Sequence, residues 1–175
     1  APERIGCCIF LDADTAQIPL RRERRVAARS GVTGSQVAAG VRAAMALGAA
    51  GVQVGTAYLC ADEATTTALH RAALQSEAAR HTTLTNVFTG RPARGIVNRV
   101  MREMGGSGKT HFATGLSRAA PAFPLATNAM APLRAAAEKA GRTDFSPLWS
   151  GQNATACLSA PAADITRALA AGFKD

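Results

Sequence analysis

The sequence has few aromatic residues: Phe, Trp and Tyr make up 5% of its 175 residues. Apolar residues still make up 47%, so a single domain of this length can bury a core, built largely from small side chains such as alanine. No uncharged apolar run reaches the length of a membrane span. The opening stretch APERIGCCIF lacks a basic region followed by an apolar core, and we do not expect it to be a signal peptide.

Residues that form metal sites and disulfide frameworks are also scarce. The chain has four cysteines and three histidines, with no CxxC pair and no cluster: Cys7, Cys8, Cys60, Cys157, His70, His81 and His111. The pattern predicts no metal site, and it indicates reduced thiols in a cytoplasmic protein.

Acidic residues are few relative to basic ones, which gives a net charge of +8. The densest basic cluster, RRERR at positions 21–25, has no aromatic residues interleaved with it, and no recognition helix or zinc finger accompanies it. We therefore expect neither a nucleic acid nor a membrane as the partner. Arginine also binds phosphate groups well, so the charge equally suits an enzyme with an anionic cofactor.

The apolar pattern predicts alternating strands and helices in the first half of the chain. A short strand centred on Val26–Ala28 runs into a glycine loop, and a helix follows over Ser35–Leu47. The next strand covers Gly51–Val54 and is completed by GTAYL, and a helix then spans about Glu63–Arg80. This order predicts an α/β fold with a parallel sheet covered by helices.

The second half is expected to hold one strand-like stretch and three helices. TTLTNVFTG is strand-like, GRPARG reads as a turn, and IVNRVMREM reads as a helix closed by Gly105 and Gly106. Two amphipathic helices follow, APLRAAAEKAG with Gly141 at its end and PAADITRALAAGF with Pro161 at its start.

The stretch REMGGSGKTH superficially looks like a phosphate-binding loop. The motif GxxxxGK[ST] would need glycine at position 103, where the chain has Glu103, and it needs a strand before it and a helix after it. Here a helix precedes and a loop follows, so we read the segment as a helix end. A better phosphate site lies at two strand ends, where Gly34 follows one predicted strand and Gly55 and Thr56 follow the next.

Four ordered segments together resemble the nitronate monooxygenases: ALGAAGVQVGTAYL, TNVFTGRPARGIVNR, AFPLATNAMAPLR and LWSGQN. The resemblance covers roughly residues 40–172 and implies the C-terminal part of a (β/α)8 TIM barrel with helical elements of a second subdomain. It implies residues 1–34 as an atypical N-terminal segment and residues 35–175 as part of an FMN-binding barrel, with a helical inserted segment around 63–145. The N-terminal half of the family, with the residues that act on the nitronate, has no counterpart here.

The resemblance also implies a function and a cofactor site. The family uses FMN and molecular oxygen to oxidise alkyl nitronates to carbonyl compounds and nitrite. Gln53, Val54, Gly55 and Thr56 match its FMN-holding Q-x-G-T segment, and its preceding glycine falls on Gly34, with Gly31 as the alternative. The chain is then a partial enzyme whose catalytic residues and oligomeric state are unknown. An inactive fragment and another FMN-binding TIM-barrel oxidoreductase, similar to enoyl reductases, are the alternatives.

Several other residues have two interpretations. Trp149, Gly151 and Gln152 belong to a distinctive loop that either contacts flavin or substrate or supplies a hydrophobic plug. Arg91 and Arg94 either reach a phosphate or brace their turn, and bracing is favoured. His70 and Cys60 are expected to be packed rather than catalytic.

Overall fold

The computed structural model describes residues 8–10, 34–49, 51–105, 116–152, 154 and 157–173. Within these ranges the elements occur in the following order: β1 Cys8–Phe10, α1 Gly34–Ala46, β2 Gly51–Gln53, α2 Ala68–Leu74, β3 Thr82–Thr85, β4 Ala93–Ile96, α3 Arg99–Met104, α4 Leu125–Lys139 and α5 Ala162–Ala170. Short 3₁₀ helices cover Thr56–Cys60, Glu77–Arg80 and Ala171–Phe173. The described helices include none long and apolar enough to cross a membrane.

The first unit is a parallel strand pair packed with α1 and α5. β1 and β2 run parallel with Cys8 opposite Gly51, but the strand predicted before β2 was centred on Val26–Ala28 and not on Cys8–Phe10. α1 follows the predicted helix within one residue at each end. Val41 of α1 is fully buried and packs with Ile165 and Leu169 of α5. These contacts place the C-terminal end of β2 beside the C-terminal helix of the chain.

The chain leaves the strand earlier than the sequence indicates. GTAYL was expected to complete the strand, but β2 ends at Gln53 and Thr56–Cys60 forms a 3₁₀ helix. Gly55 precedes this helix with helical backbone angles, and the Tyr58 N–H donates to the Gly55 carbonyl at 2.9 Å. The prediction was wrong because β-rich composition in so short a stretch does not show where the backbone bends.

The predicted helix over Glu63–Arg80 is also shorter than expected. α2 begins at Ala68, where the Thr67 hydroxyl accepts from the His70 N–H, and a 3₁₀ turn replaces its last part. The Arg71 guanidinium donates to carbonyls that precede α2, those of Cys60, Ala61, Ala64 and Thr66, at 2.7–3.2 Å. These bonds satisfy the connecting backbone in an irregular path, which removes the need for helix there.

β3 and β4 form an antiparallel hairpin with Thr82 opposite Ile96. GRPARG was predicted as a turn, but its last residues belong to β4. β4 also meets a distant segment, since Gly95 bridges to Trp149 and the Ile96 N–H donates to the Leu148 carbonyl at 2.8 Å. The described strands therefore form two separate sheets, one with the parallel pair β1–β2 and one with the antiparallel pair β3–β4.

The predicted helices of the second half are present as α3, α4 and α5, but α4 begins earlier than expected and α3 begins three residues later, since Ile96 belongs to β4. Asn98 caps α3 by accepting from the Met101 N–H, and Gly105 ends it. The helix-end interpretation of REMGGSGKTH is thus confirmed at Gly105, while positions 106–115 lie outside the described residues. The predicted strand Val26–Ala28, the basic cluster at 21–25 and Gly31 also lie outside them.

Candidate functional site

The predicted phosphate-binding turn lies where β2 ends. Gln53 is exposed, Val54 and Gly55 are half-buried, and Thr56 is buried. Gly55 has φ −111° and ψ −58°, a conformation open to any L-residue, so the turn itself does not require glycine. Close approach of a ligand to the backbone is one use of a missing side chain at such a point.

Amide groups at the start of the 3₁₀ helix supply the donors. A helix N-terminus presents backbone N–H groups to an anion, and this helix begins at Thr56, directly after Gly55. Gly34, the other predicted contact, is the first residue of α1 and therefore also lies at a helix N-terminus. Both glycine positions thus place backbone donors where an anion could bind.

The Thr56 side chain has a structural partner that the sequence did not indicate. Its hydroxyl accepts the Gly151 N–H at 2.9 Å in a buried position, and its carbonyl accepts from the Cys157 thiol at 3.1 Å. The two segments singled out from the sequence, Gln53–Thr56 and Trp149–Gln152, therefore lie against each other. They form one candidate site, although about 95 residues separate them in the chain.

The Trp149–Gln152 segment is held from several sides. The Ser150 N–H donates to the Arg94 carbonyl at 3.2 Å, and the Trp149 ring meets Phe88 edge-on with ring centroids 5.6 Å apart. Trp149 packs against a cluster containing Val87, Val100 and Met130, which supports the hydrophobic-plug interpretation. Gln152 is exposed beside Gly151, so this part of the segment can reach a ligand.

Replacing Thr56 by valine is expected to lower the free energy of unfolding by about 1–3 kcal/mol, because the buried Gly151 N–H would lose its acceptor. Thr56→Ser retains the hydroxyl, so its free energy of unfolding should fall clearly less than that of Thr56→Val. Urea denaturation of both variants and the wild type measures the difference. Equal losses for serine and valine would show that the methyl group contributes as much as the hydrogen bond, and an unchanged stability of the valine variant would contradict the role of the bond.

His70 is packed, as predicted, and it supports the same segment. Its Nε2 lies 2.9 Å from the Trp149 carbonyl, and since a carbonyl only accepts, Nε2 carries the proton. Burial lowers the pKa of His70, with a smaller lowering from Arg134 and a smaller raising from the bond to Trp149. The imidazole is therefore neutral near pH 7.

This lowered pKa predicts a pH dependence of stability. In the unfolded chain the imidazole takes up a proton near pH 6.5, whereas the folded chain does so only at lower pH. The stabilisation is thus complete above about pH 6.5 and is lost as the pH falls toward the folded pKa. Denaturation midpoints should fall more steeply below pH 6.5 for the wild type than for His70→Gln, and parallel pH profiles would contradict the assignment.

Arg91 and Arg94 brace the hairpin, as favoured from the sequence. Arg94 donates to the Thr82 carbonyl across the hairpin at 3.2 Å. The Arg91 guanidinium lies over the Phe123 ring, 4.3 Å from its centroid. Cys60 is fully buried, and burial raises its pKa by more than the nearby Arg71 and the bond to Cys157 lower it, so the structure does not favour it as a catalytic nucleophile. No metal-binding group of three or more His, Cys, Asp or Glu occurs among the described residues.

A cleft of about 260 Å³ is lined in part by His70 and Trp149, and no pattern in the sequence predicted it. Its polar wall includes Arg134 and Glu138, which form an ion pair at 2.8 Å and expose 45% and 31% of their side chains. The pair neutralises itself, and Ser146 adds a hydrogen bond to Glu138 at 2.7 Å. The cleft is therefore a structural neighbour of the candidate site, with no charge left to select a ligand.

Comparison with known proteins gives consistent results. The family model described as nitronate monooxygenase matches residues 30–172. The nitronate monooxygenase of Pseudomonas aeruginosa is 33% identical over 168 residues, which cover 96% of this chain and 45% of that protein. That of Paraburkholderia phytofirmans is 36% identical over 134 residues, which cover 75% of this chain and 34% of that protein. The chain thus spans less than half the length of these relatives.

Solved structures show the same relationship. Nitroalkane oxidase from Streptomyces ansochromogenes superposes with a TM-score of 0.63 at 37% identity, covering 82% of this chain and 37% of that one. FabK from Thermotoga maritima superposes with a TM-score of 0.53 at 22% identity, covering 78% of this chain and 40% of that one. At this identity the match shows a likeness of fold alone.

Proposed function

Because the chain belongs to the nitronate monooxygenase family, we propose that it forms the phosphate-binding part of an FMN site. The enzyme activity proposed for this site is the oxidation of alkyl nitronates by molecular oxygen to carbonyl compounds and nitrite. The chain supplies the cofactor grip and part of the wall of a (β/α)8 barrel, and no catalytic side chain is assigned within it.

One observation carries the proposal: the Gln53–Thr56 turn and the Trp149–Gln152 segment meet through the bond between Gly151 and Thr56. The turn offers N–H donors at a strand's C-terminal end, next to a glycine whose conformation does not explain its presence. A phosphate dianion suits such donors, and Gly34 at the start of α1 would contribute to the same cradle.

FMN supplies the redox chemistry when bound. The residues of this chain would bind the phosphate of FMN and enclose the ligand. Backbone N–H groups at the start of the 3₁₀ helix would hold the phosphate, and the buried side of Trp149 would close the protein interior behind the ligand. Exposed Gln53 and Gln152 flank the opening and present amide groups to polar atoms of the ligand.

The antiparallel hairpin supports an inserted second subdomain. A barrel wall is built of parallel strands, and β3 and β4 run antiparallel within the proposed segment around 63–145. We assign α2, β3, β4, α3 and α4 to this subdomain. The strand pair β1–β2 with α1 and α5 then belongs to the barrel.

Turnover of two substrate classes tests the reaction. The FMN-loaded chain is given propyl nitronate with oxygen, or an enoyl thioester with reduced nicotinamide. Nitrite release with oxygen uptake supports the proposal. Reduction of the thioester without nitrite would instead assign the chain to another class of flavin barrel. FMN binding with neither reaction would contradict activity in this chain and leave it as a cofactor-binding fragment.

A further inference from the structure

Two thiols lie in contact next to the candidate site, and the proposed function gives them no role. Cys60 is the last residue of the 3₁₀ helix Thr56–Cys60 and is fully buried among Leu74, Ile96 and Leu148. Cys157, partly buried, packs against the same cluster, and its side chain is hydrogen-bonded to that of Cys60. Both cysteines are reduced.

The position of Cys157 is fixed by the backbone around it. Its N–H donates to the Ala154 carbonyl at 3.0 Å, and its thiol donates to the Thr56 carbonyl at 3.1 Å. The same sulfur therefore touches both ends of the 3₁₀ helix: the Thr56 carbonyl at its start and the Cys60 side chain at its end. The hydrogen bond to Thr56 thus holds Cys157 at the 3₁₀ helix that ends in Cys60.

Other functions for the pair are less well supported. No group of three or more potential metal ligands occurs in the described ranges, so the pair is not part of a metal centre there. The charged group that acts on Cys60 is the Arg71 guanidinium, which donates to four backbone carbonyls. Two adjoining thiols without a third ligand have one common chemistry, which is oxidation to a disulfide.

We propose that Cys60 and Cys157 form a reversible disulfide when the protein meets hydrogen peroxide. The more accessible Cys157 thiolate attacks one peroxide oxygen, which breaks the O–O bond and yields a sulfenic acid and water. The Cys60 thiolate then attacks that sulfur, and the sulfenic oxygen leaves as a second water. Two thiols and one peroxide thus give one disulfide and two waters, with two electrons passing to the peroxide.

The disulfide links segments that are about 100 residues apart and closes a long loop, which restricts the unfolded chain. It also removes the thiol proton that Cys157 donates to the Thr56 carbonyl, since a disulfide sulfur has no proton. The bond therefore fastens the Trp149–Cys157 region to the 3₁₀ helix by a covalent link in place of a hydrogen bond. This inference does not depend on FMN binding.

The test uses the full chain with Cys7 and Cys8 replaced by serine, so that Cys60 and Cys157 are the only remaining thiols. After reduction and treatment with excess hydrogen peroxide, thiols are counted in denaturant and peptides are mapped by mass spectrometry. We expect loss of both thiols, a monomeric cross-linked peptide pair, and a melting temperature raised by about 5 °C or more. Dithiothreitol should reverse all three.

Two controls keep the proposal falsifiable. Cys157→Ser retains a hydroxyl donor toward Thr56 and should show no cross-link and no rise in melting temperature. Unfolded wild-type chain shows whether the peroxide oxidises accessible thiols under the same conditions. Sulfinic or sulfonic Cys157 without a cross-link would overturn the proposal, as would unreacted thiols in the folded chain when the unfolded chain has reacted.

Discussion

The Gly55→Val variant is expected to bind FMN at least about 100-fold more weakly than the wild type, a loss of about 2.7 kcal/mol. The backbone angles at Gly55 are open to valine, so the fold should tolerate the change. The added methyl groups would instead lie where the phosphate must approach the N–H groups at the start of the 3₁₀ helix. Titration of FMN followed by flavin fluorescence measures the affinity.

Gly51→Val is the matched control, at the opposite end of the same strand. A Cβ at Gly51 meets no atom within 4 Å, and valine favours strands. This variant should bind FMN as the wild type does. An equal loss in both variants would show a general disturbance of β2, and an unchanged affinity in Gly55→Val would remove Gly55 from the phosphate site.

The second large effect is expected at Gly90, where replacement by alanine should lower the free energy of unfolding by about 3 kcal/mol or more. Gly90 has φ +87°, which alanine adopts only with strain. A Cβ there would also collide with backbone atoms of Phe123 and Ala122, and with the Pro121 carbonyl at 2.7 Å. Backbone cannot rotate away as a side chain can, so the hairpin would separate from the segment before α4.

Gly141→Ala separates the strain from the collision. Gly141 also has positive φ, +70°, but a Cβ there meets nothing within 4 Å. The free energy of unfolding of this variant should fall by only about 1–2 kcal/mol, the cost of the left-handed conformation for alanine. Chemical denaturation of the two variants gives the comparison, and similar losses would mean that the tight packing at Gly90 relaxes on mutation.

Helix positions followed from the sequence where local signals were sufficient. α1 lies between Gly34 and the positive-φ Gly48, and α5 begins directly after Pro161, so local residues determine both helices. The end of β2 and the start of α2 could not be predicted from the sequence. The first depends on a bend at Gly55, and the second on Arg71, whose guanidinium binds carbonyls earlier in the chain. Hydrogen bonds between a side chain and backbone carbonyls of another segment leave no pattern in the local sequence.

The candidate site was predicted as two separate segments. Sequence similarity indicated Gln53–Thr56 and the loop around Trp149, but nothing in either segment predicted that they touch. The Thr56 hydroxyl was expected to face a phosphate, and its bond to Gly151 gives it a role in positioning the loop as well. Likewise, His70 was expected to be packed, but its carbonyl partner at Trp149 depends on tertiary contacts.

The most direct test of the phosphate cradle compares FMN with riboflavin, which differs from it only by the missing phosphate. We predict that the wild-type chain binds FMN at least about 30-fold more tightly than riboflavin, or by about 2 kcal/mol, and that Gly55→Val abolishes most of this difference. Equal affinity of the wild-type chain for the two flavins would contradict a phosphate site at the end of β2.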